Sequence, residues 1–321
     1  MTPIRNQLIT LIEQGHIPKE KINDALKVSK IFPTEKDWFV FIGKLLLWLG
    51  SLAIAFAVMF FIAYNIDNIG KFVKFGAVEL LIAGSLLAYW RFYSHPIASK
   101  VTLLTASILV GVLLALYGIT YQTGADSWQL FFTWALLITP WVLIGRFSPL
   151  LIMWLMLLNL SLILYYSTFG FSFFSWWTPI INLFGFLFAL NTLALVIWEF
   201  LSTKWEWLAH HWAIRILALS SGASITLLAM YVIFEEQNIL ILVVWFIWMA
   251  SFYFFYKNIR RDLFMLSSIA LSGIITATSF LLKVVIEDLN IEGLLLVAIL
   301  IVGMGAGAAF WLRKIQKEWK A

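Results

Sequence analysis

The chain contains no cysteine. That excludes disulfides, thiol catalysis and every cysteine-ligated zinc or iron–sulfur site. Charge is scarce as well: Asp, Glu, Lys and Arg make up 12% of the 321 residues, against roughly 25% in an ordinary soluble domain. The four histidines, His16, His95, His210 and His211, all fall outside the apolar runs. No serine–histidine dyad can therefore form inside an apolar layer, and there is no HExxH zinc motif. A GxxxxGK[ST] phosphate loop is absent too. The aspartates stand at helix ends or outside the apolar runs, which argues against an intramembrane aspartate pair. Neither a cofactor nor a metal site is expected.

What is present is apolar side chain, 62% of the sequence. No water-soluble core of this length could bury so much, so lipid must be the solvent for most of the surface. The formal charge of +5 does not point to nucleic acid. The basic residues sit between apolar runs and at the two ends, where they act as orientation signals.

Crossing about 30 Å of hydrocarbon takes about 20 helical residues. The runs predict ten spans, at 40–64, 71–91, 101–121, 128–146, 149–167, 178–200, 212–234, 238–257, 262–282 and 292–312. The expected fold is an all-α polytopic transmembrane bundle over 38–313. With the N-terminus inside, Lys71, Lys74 and Lys283 are the only outer residues among 22 Lys and Arg. That bias predicts both termini on the cytoplasmic side. Trp90, Trp198, Trp205, Trp207, Trp212 and Trp311 then mark the inner boundary, and Trp128, Trp176 and Trp177 the outer one. The aromatic stretch 169–177 is expected in the outer interface.

Residues 1–37 are polar and charged, with no cleavable signal peptide. Ile4, Leu8, Leu11 and Ile12 have helical spacing, Gly15 fits a helix stop, and Pro18 opens a second short helix. This predicts a cytoplasmic helical hairpin, too short to hold its own core, that docks on the membrane face or a protein partner. Residues 314–321 read as a basic cytoplasmic tail. At an offset of 114, Leu113–Ile119 resembles Leu227–Ile233, and Phe132, Trp134 and Arg146 pair with Phe246, Trp248 and Arg260. This suggests a parallel repeat, 71–167 and 185–281.

Glu79 is the most informative polar residue. It lies about 12 Å into the second span at 1.5 Å per residue. A charge at such depth costs about 2.5–3.5 kcal/mol on insertion scales. Glu79 is therefore expected to face the bundle interior, as a proton-coupling or substrate-binding carboxyl or as a neutral packing group. Gly76 and Ala83 share its face and would let a neighbouring helix approach. Tyr64, Asn65 and Asp67, with Lys74, Tyr121 and Gln122, either build an outward-facing polar vestibule above Glu79 or cap two ordinary turns. Asn159 and Asn191 lie near mid-membrane, where asparagine usually bonds across helices. Pro140 is expected to kink the fourth span. Gly303 and Gly307 sit inside a spanning helix and predict close packing rather than a dinucleotide loop.

Several of these residues also carry a resemblance. Ala63-Tyr64-Asn65-Ile66-Asp67 ends the first span in an Ala-Asn-Trp-Asp-like motif, with isoleucine in place of tryptophan. Lys71 and Lys74 follow at a helix start. Tyr121-Gln122-Thr123 and Trp134-Ala135-Leu136-Leu137-Ile138-Thr139-Pro140 come later. Over residues 1–165 the chain resembles the bacterial membrane proteins grouped as domain of unknown function 2157. The resemblance implies a bacterial cytoplasmic (inner) membrane and this topology, and it names no activity. Two readings of function lead. One is a transporter or flippase for an apolar or amphiphilic substrate, with Glu79 as its buried carboxyl. The other is a structural or sensory subunit of a membrane complex. A lipid-modifying enzyme using Glu79 or Asp67 stands third.

Overall fold

The structure, a computed structural model, describes residues 8–9, 11–12, 14–29, 35–64, 70–170, 178–235, 239–287 and 291–319. Those residues are mostly helical, joined by turns, and contain no strand. After a short α1 (Ile22–Val28) come α2 (Glu35–Tyr64), α3 (Lys71–Arg91), α4 (Pro96–Tyr121), α5 (Ser127–Gly145) and α6 (Ser148–Phe169). Then follow α7 (Pro179–Ser202), α8 (His211–Glu235), α9 (Leu240–Phe254), α10 (Leu263–Glu287) and α11 (Ile291–Glu318). Among the described residues, ten helices are long and apolar enough to cross a bilayer, one for each expected span. The chain is a multi-pass helical membrane protein.

Helix ends follow elementary rules. Leu11 and Ile12 are helical, and the chain stops at Gly15 with φ +74°. There the Gly15 N–H donates to the Ile12 carbonyl at 3.1 Å and the His16 N–H to the Leu11 carbonyl at 3.0 Å. This pair of bonds is a Schellman cap, which needs the left-handed residue that glycine supplies without a Cβ clash. Four helices overrun their apolar runs by five residues or more, α10 among them by running to Glu287 rather than 282. The second helix begins at Glu35 rather than 40, where Glu35 and Asp37 favour the positive end of the helix dipole. The fourth starts at Pro96 rather than 101, with proline in the first turn. The last continues past 312 to Glu318 because its final turns are amphipathic. Ile315 is buried there, while Arg313, Lys314 and Lys317 are exposed.

The helices form two compact units, divided after Leu116. In the first, Val78 of α3 packs with Val112 and Leu116 of α4 and with Val58 of α2. In the second, α8 lies at the centre, packed by α7, α9 and α10, with α11 along α10 and α5 against α6. Its core has a cluster around Ile181, Ile225, Leu228, Val232 and Trp248. A larger one gathers Trp198, Leu208, Leu217, Tyr256, Met265 and Ile315.

Hydrocarbon gives no hydrophobic push between helices, so side-chain fit and hydrogen bonds must hold them. The second unit uses hydroxyls and amides. Thr192 and Ser221 share a 2.6 Å hydrogen bond between α7 and α8. Thr226 and Ser272 share another at 2.6 Å between α8 and α10. The Trp245 indole of α9 donates to the same Ser272 hydroxyl at 3.1 Å. Asn159 and Asn191 pair reciprocally across α6 and α7, at 3.2 and 2.6 Å. Each amide also donates to its own helix, to the Leu155 and Leu187 carbonyls. Asn191→Leu should lower the stability of the detergent-solubilised chain by about 1–2 kcal/mol, since Asn159 is left without its partner. An unchanged urea or thermal midpoint would show that the pair holds nothing.

Candidate functional site

Four charged side chains of the second unit, Glu199, Arg215, Arg260 and Asp262, gather where α7 ends, α8 and α10 begin and α9 turns. Glu199 lies in the last turn of α7, its side chain 11% exposed. Arg260 reaches it from beyond α9, with Nη2 at 2.7 Å from Oε2. That approach is an ion pair without hydrogen-bond alignment. The guanidinium is oriented instead by donating to the Ser202 hydroxyl at 2.7 Å and to the Glu199 carbonyl at 3.2 Å. The other carboxylate oxygen accepts the Tyr256 hydroxyl at 2.9 Å. Tyr256 is buried and sits in a π turn, Phe255–Ile259, that closes α9. Such turns insert one residue into the helical ladder and are frequent at functional sites.

A second pair lies beside the first. Arg215 of α8 holds Asp262 through two hydrogen bonds, Nε to Oδ2 at 3.2 Å and Nη2 to Oδ1 at 3.1 Å. Asp262 also caps α10 by accepting the Phe264 N–H at 2.9 Å. The Arg215 guanidinium rests over the Phe264 ring, 4.9 Å from its centre. Glu199, Ser202, His211, Tyr256, Arg260 and Asp262 surround a cavity of about 150 Å³. Two ion pairs thus tie the ends of α7, α8, α9 and α10 around a small polar chamber.

On the other side of the α7 end, the linker to α8 is fixed in place. Trp198 Nε1 donates to the Leu208 carbonyl at 2.9 Å, and the Ser148 hydroxyl donates to the Trp207 carbonyl. Trp198 is therefore a core residue rather than part of an interfacial belt. The linker walls a groove of about 710 Å³. Val142, Leu151, Ile197 and Leu201 line its apolar floor, and Arg146, Lys204 and Glu206 stand at it. Trp205 and Trp207 line it too, their rings stacked at 6.0 Å. Arg146 closes α5 in the left-handed region, φ 44° and ψ 52°. Glycine adopts that conformation freely, whereas an L side chain there costs roughly 1–2 kcal/mol.

The residues singled out from the sequence lie elsewhere. Glu79 is exposed on α3 instead of facing the bundle interior. The inward face of that helix is taken by Val78 and Lys74, both buried. Lys74 lines an apolar cavity of about 440 Å³ between α2 and α3. Five residues along a helix turn it by about 140° from Glu79, so the two do not share a face. Tyr64 belongs to the first unit, Tyr121 and Gln122 to the second, and all three are exposed. Asn65 and Asp67 lie outside the described residues, as does most of the aromatic stretch 169–177.

The packing expected of the small residues is not found among the described residues either. A Cβ added at Gly76, Gly303 or Gly307 would meet nothing within 4 Å, and Ala83 is exposed. The inward stripe of α11 runs through Val297, Met304, Ala308, Trp311 and Ile315. Gly303 and Gly307 each stand about 100° to one side of it.

Sequence pattern places Arg215 and Arg260 among the orientation signals, and Arg260 also opposite Arg146 in the repeat register, while it gives Glu199 and Asp262 no role. One signal was available: Glu199 and Asp262 are acidic residues on the side where nearly all the basic ones collect.

Residues 10–151 match the model of a family described as predicted membrane protein (DUF2157). The match covers the first unit and runs to the start of α6, somewhat shorter than the resemblance over 1–165. It includes Arg146 and ends before Glu199. No curated protein and no solved structure matches the chain.

Proposed function

We propose that the chain moves an amphiphilic substrate across the bilayer, as a transporter or flippase, with the Glu199–Arg260 pair as the latch of its cytoplasmic gate. One observation carries the reading: two ion pairs tie the ends of four spanning helices around a polar chamber. A buried ion pair adds little net stability over well-packed apolar residues, so packing alone does not call for one. A pair that can open and rehydrate gives a helix bundle two discrete states. The chamber beside Glu199 supplies the room. The basic-residue bias supports a cytoplasmic position for this end.

Element register supports a repeated architecture. Moved by the offset of 114, α4 falls on 210–235, α5 on 241–259 and α6 on 262–283; their counterparts are 211–235, 240–259 and 263–287. Parallel repeats of this kind are a recurrent transporter design.

The test is flipping of a fluorescent phospholipid in vesicles reconstituted with the purified chain. Wild type should exceed protein-free vesicles. Arg260→Gln should raise the passive rate by about tenfold or more, since a latch weakened by about 1.4 kcal/mol already gives that factor. Glu79→Gln should stay within about twofold of wild type if the latch, not Glu79, sets the rate. Rates equal to protein-free vesicles for wild type and Arg260→Gln would sink the reading. The alternative, a subunit of a membrane complex, is favoured by one observation: α3 exposes Glu79 and Ala83 mid-span, on a face that lipid solvates poorly.

A further inference from the structure

We infer that the groove between the α5–α6 turn and the end of α7 is a binding site for an anionic glycerophospholipid, with Arg146 and Lys204 holding its phosphodiester. The inference does not rest on the translocation reading, because it concerns binding alone.

Four features converge on this groove. Most of its apolar lining comes from within α5, α6 and α7 and its charged lining from beyond the ends of α5 and α7, the order in which a lipid presents acyl chain and headgroup. Its volume of about 710 Å³ lies within the range of about 300–1,000 Å³ typical of ligand pockets. Two cations against the single Glu206 carboxylate leave one net positive charge, the complement of one phosphodiester. Neither Arg146 nor Lys204 has an ion-pair partner among the described residues. Basic pockets between spanning helices on the cytoplasmic side recognise such headgroups.

The fourth feature is the backbone at Arg146. Its left-handed conformation suits glycine, yet an arginine stands there with its side chain at the groove. The strain is explained if the guanidinium is needed at that place. The wall opposite is held by the Trp198–Leu208 and Ser148–Trp207 hydrogen bonds, so the site is formed before a lipid arrives. Trp205 and Trp207 set the groove at headgroup level, where indole rings partition.

The test offers the delipidated full chain in detergent equal amounts of phosphatidylglycerol and phosphatidylethanolamine, and reads retained lipid by native mass spectrometry. Wild type should retain phosphatidylglycerol severalfold over phosphatidylethanolamine. Arg146→Gly relieves the backbone and should still fold. It should cut that preference severalfold, and the Arg146→Gly/Lys204→Gln double should abolish it. Glu206→Gln removes the competing carboxylate and should raise it, so the proposal has a gain as well as a loss to meet. Arg91→Gln, in the first unit, should leave it unchanged. Equal retention of the two lipids by wild type would overturn the site, as would an unaltered preference in the double variant. Displacement of phosphatidylglycerol by millimolar inorganic phosphate would assign the cations to a free anion and overturn the lipid.

Discussion

Replacing Arg260 with glutamine should lower the thermal midpoint of the purified chain by roughly 5–10 °C. Removing one partner of a buried ion pair costs about 3–5 kcal/mol, because the remaining charge keeps its desolvation and loses its counter-ion. Arg260 is 34% exposed, so solvent screens part of the interaction and about 2–3 kcal/mol is expected. For a folded unit of this size each kcal/mol moves the midpoint by about 2–4 °C. Adding Glu199→Gln should recover half or more of the loss, since it removes the orphaned carboxylate. Recovery of that kind would measure the coupling between the two side chains. Arg215→Gln should cost a comparable amount, since its pair is exposed to nearly the same extent, 40% at Arg215 and 13% at Asp262. An unchanged midpoint for Arg260→Gln would mean that the Glu199–Arg260 pair does not hold the unit together. The same Arg260→Gln protein enters the flipping assay, so stability and rate are read on one sample.

Gly222→Ala should destabilise the second unit by about 1–3 kcal/mol, as overpacked core positions do. The new methyl would lie 2.9 Å from Cη2 of Trp248 and 3.3 Å from its Cζ2. The indole cannot swing away cheaply. It is 7% exposed and stacks on Phe252, their rings 4.2 Å apart. Helices α8 and α9 would have to part instead. Gly303→Ala is the contrast, because nothing lies within 4 Å of the added atom. There the substitution should leave the midpoint unchanged or raise it, as glycine to alanine does in an open helix position by roughly 0.5–1 kcal/mol. A fall at Gly303 as large as at Gly222 would instead reveal a helix packed against the α11 face from another molecule.

Most of the fold was legible because spanning a bilayer imposes rules that a sequence must display. A helix has to be apolar for about 20 residues, and its loops must carry charge. All ten spans are therefore visible, and the misses at Glu35, Pro96, Glu287 and Glu318 are terminal turns carrying charge or proline that hydropathy undercounts. Gly15 was legible for a local reason, since its cap depends only on neighbouring residues. Asn159 and Asn191 were read as interhelical glue by type and depth; that they pair with each other is a fact of the α6–α7 contact.

The candidate site was hidden because its members lie far apart in the chain. Glu199 and Arg260 are 61 residues apart and Arg215 and Asp262 are 47 apart. Counting charges sorts them by side of the membrane but does not pair them. The glycines show the same limit. Gly222, Gly303 and Gly307 all sit in apolar helices, and only Gly222 meets a neighbour.

By itself the sequence determined the solvent and the number of spanning helices. Each follows from the cost of placing polar groups in hydrocarbon, and that cost acts residue by residue. The tertiary structure alone decided which face of each helix turns inward. It turned Val78 and Lys74 in and Glu79 out, and it brought Glu199 to Arg260. Those choices depend on the rotation and contacts of whole helices, which a periodic apolar sequence leaves open because lipid and protein interior are almost equally apolar.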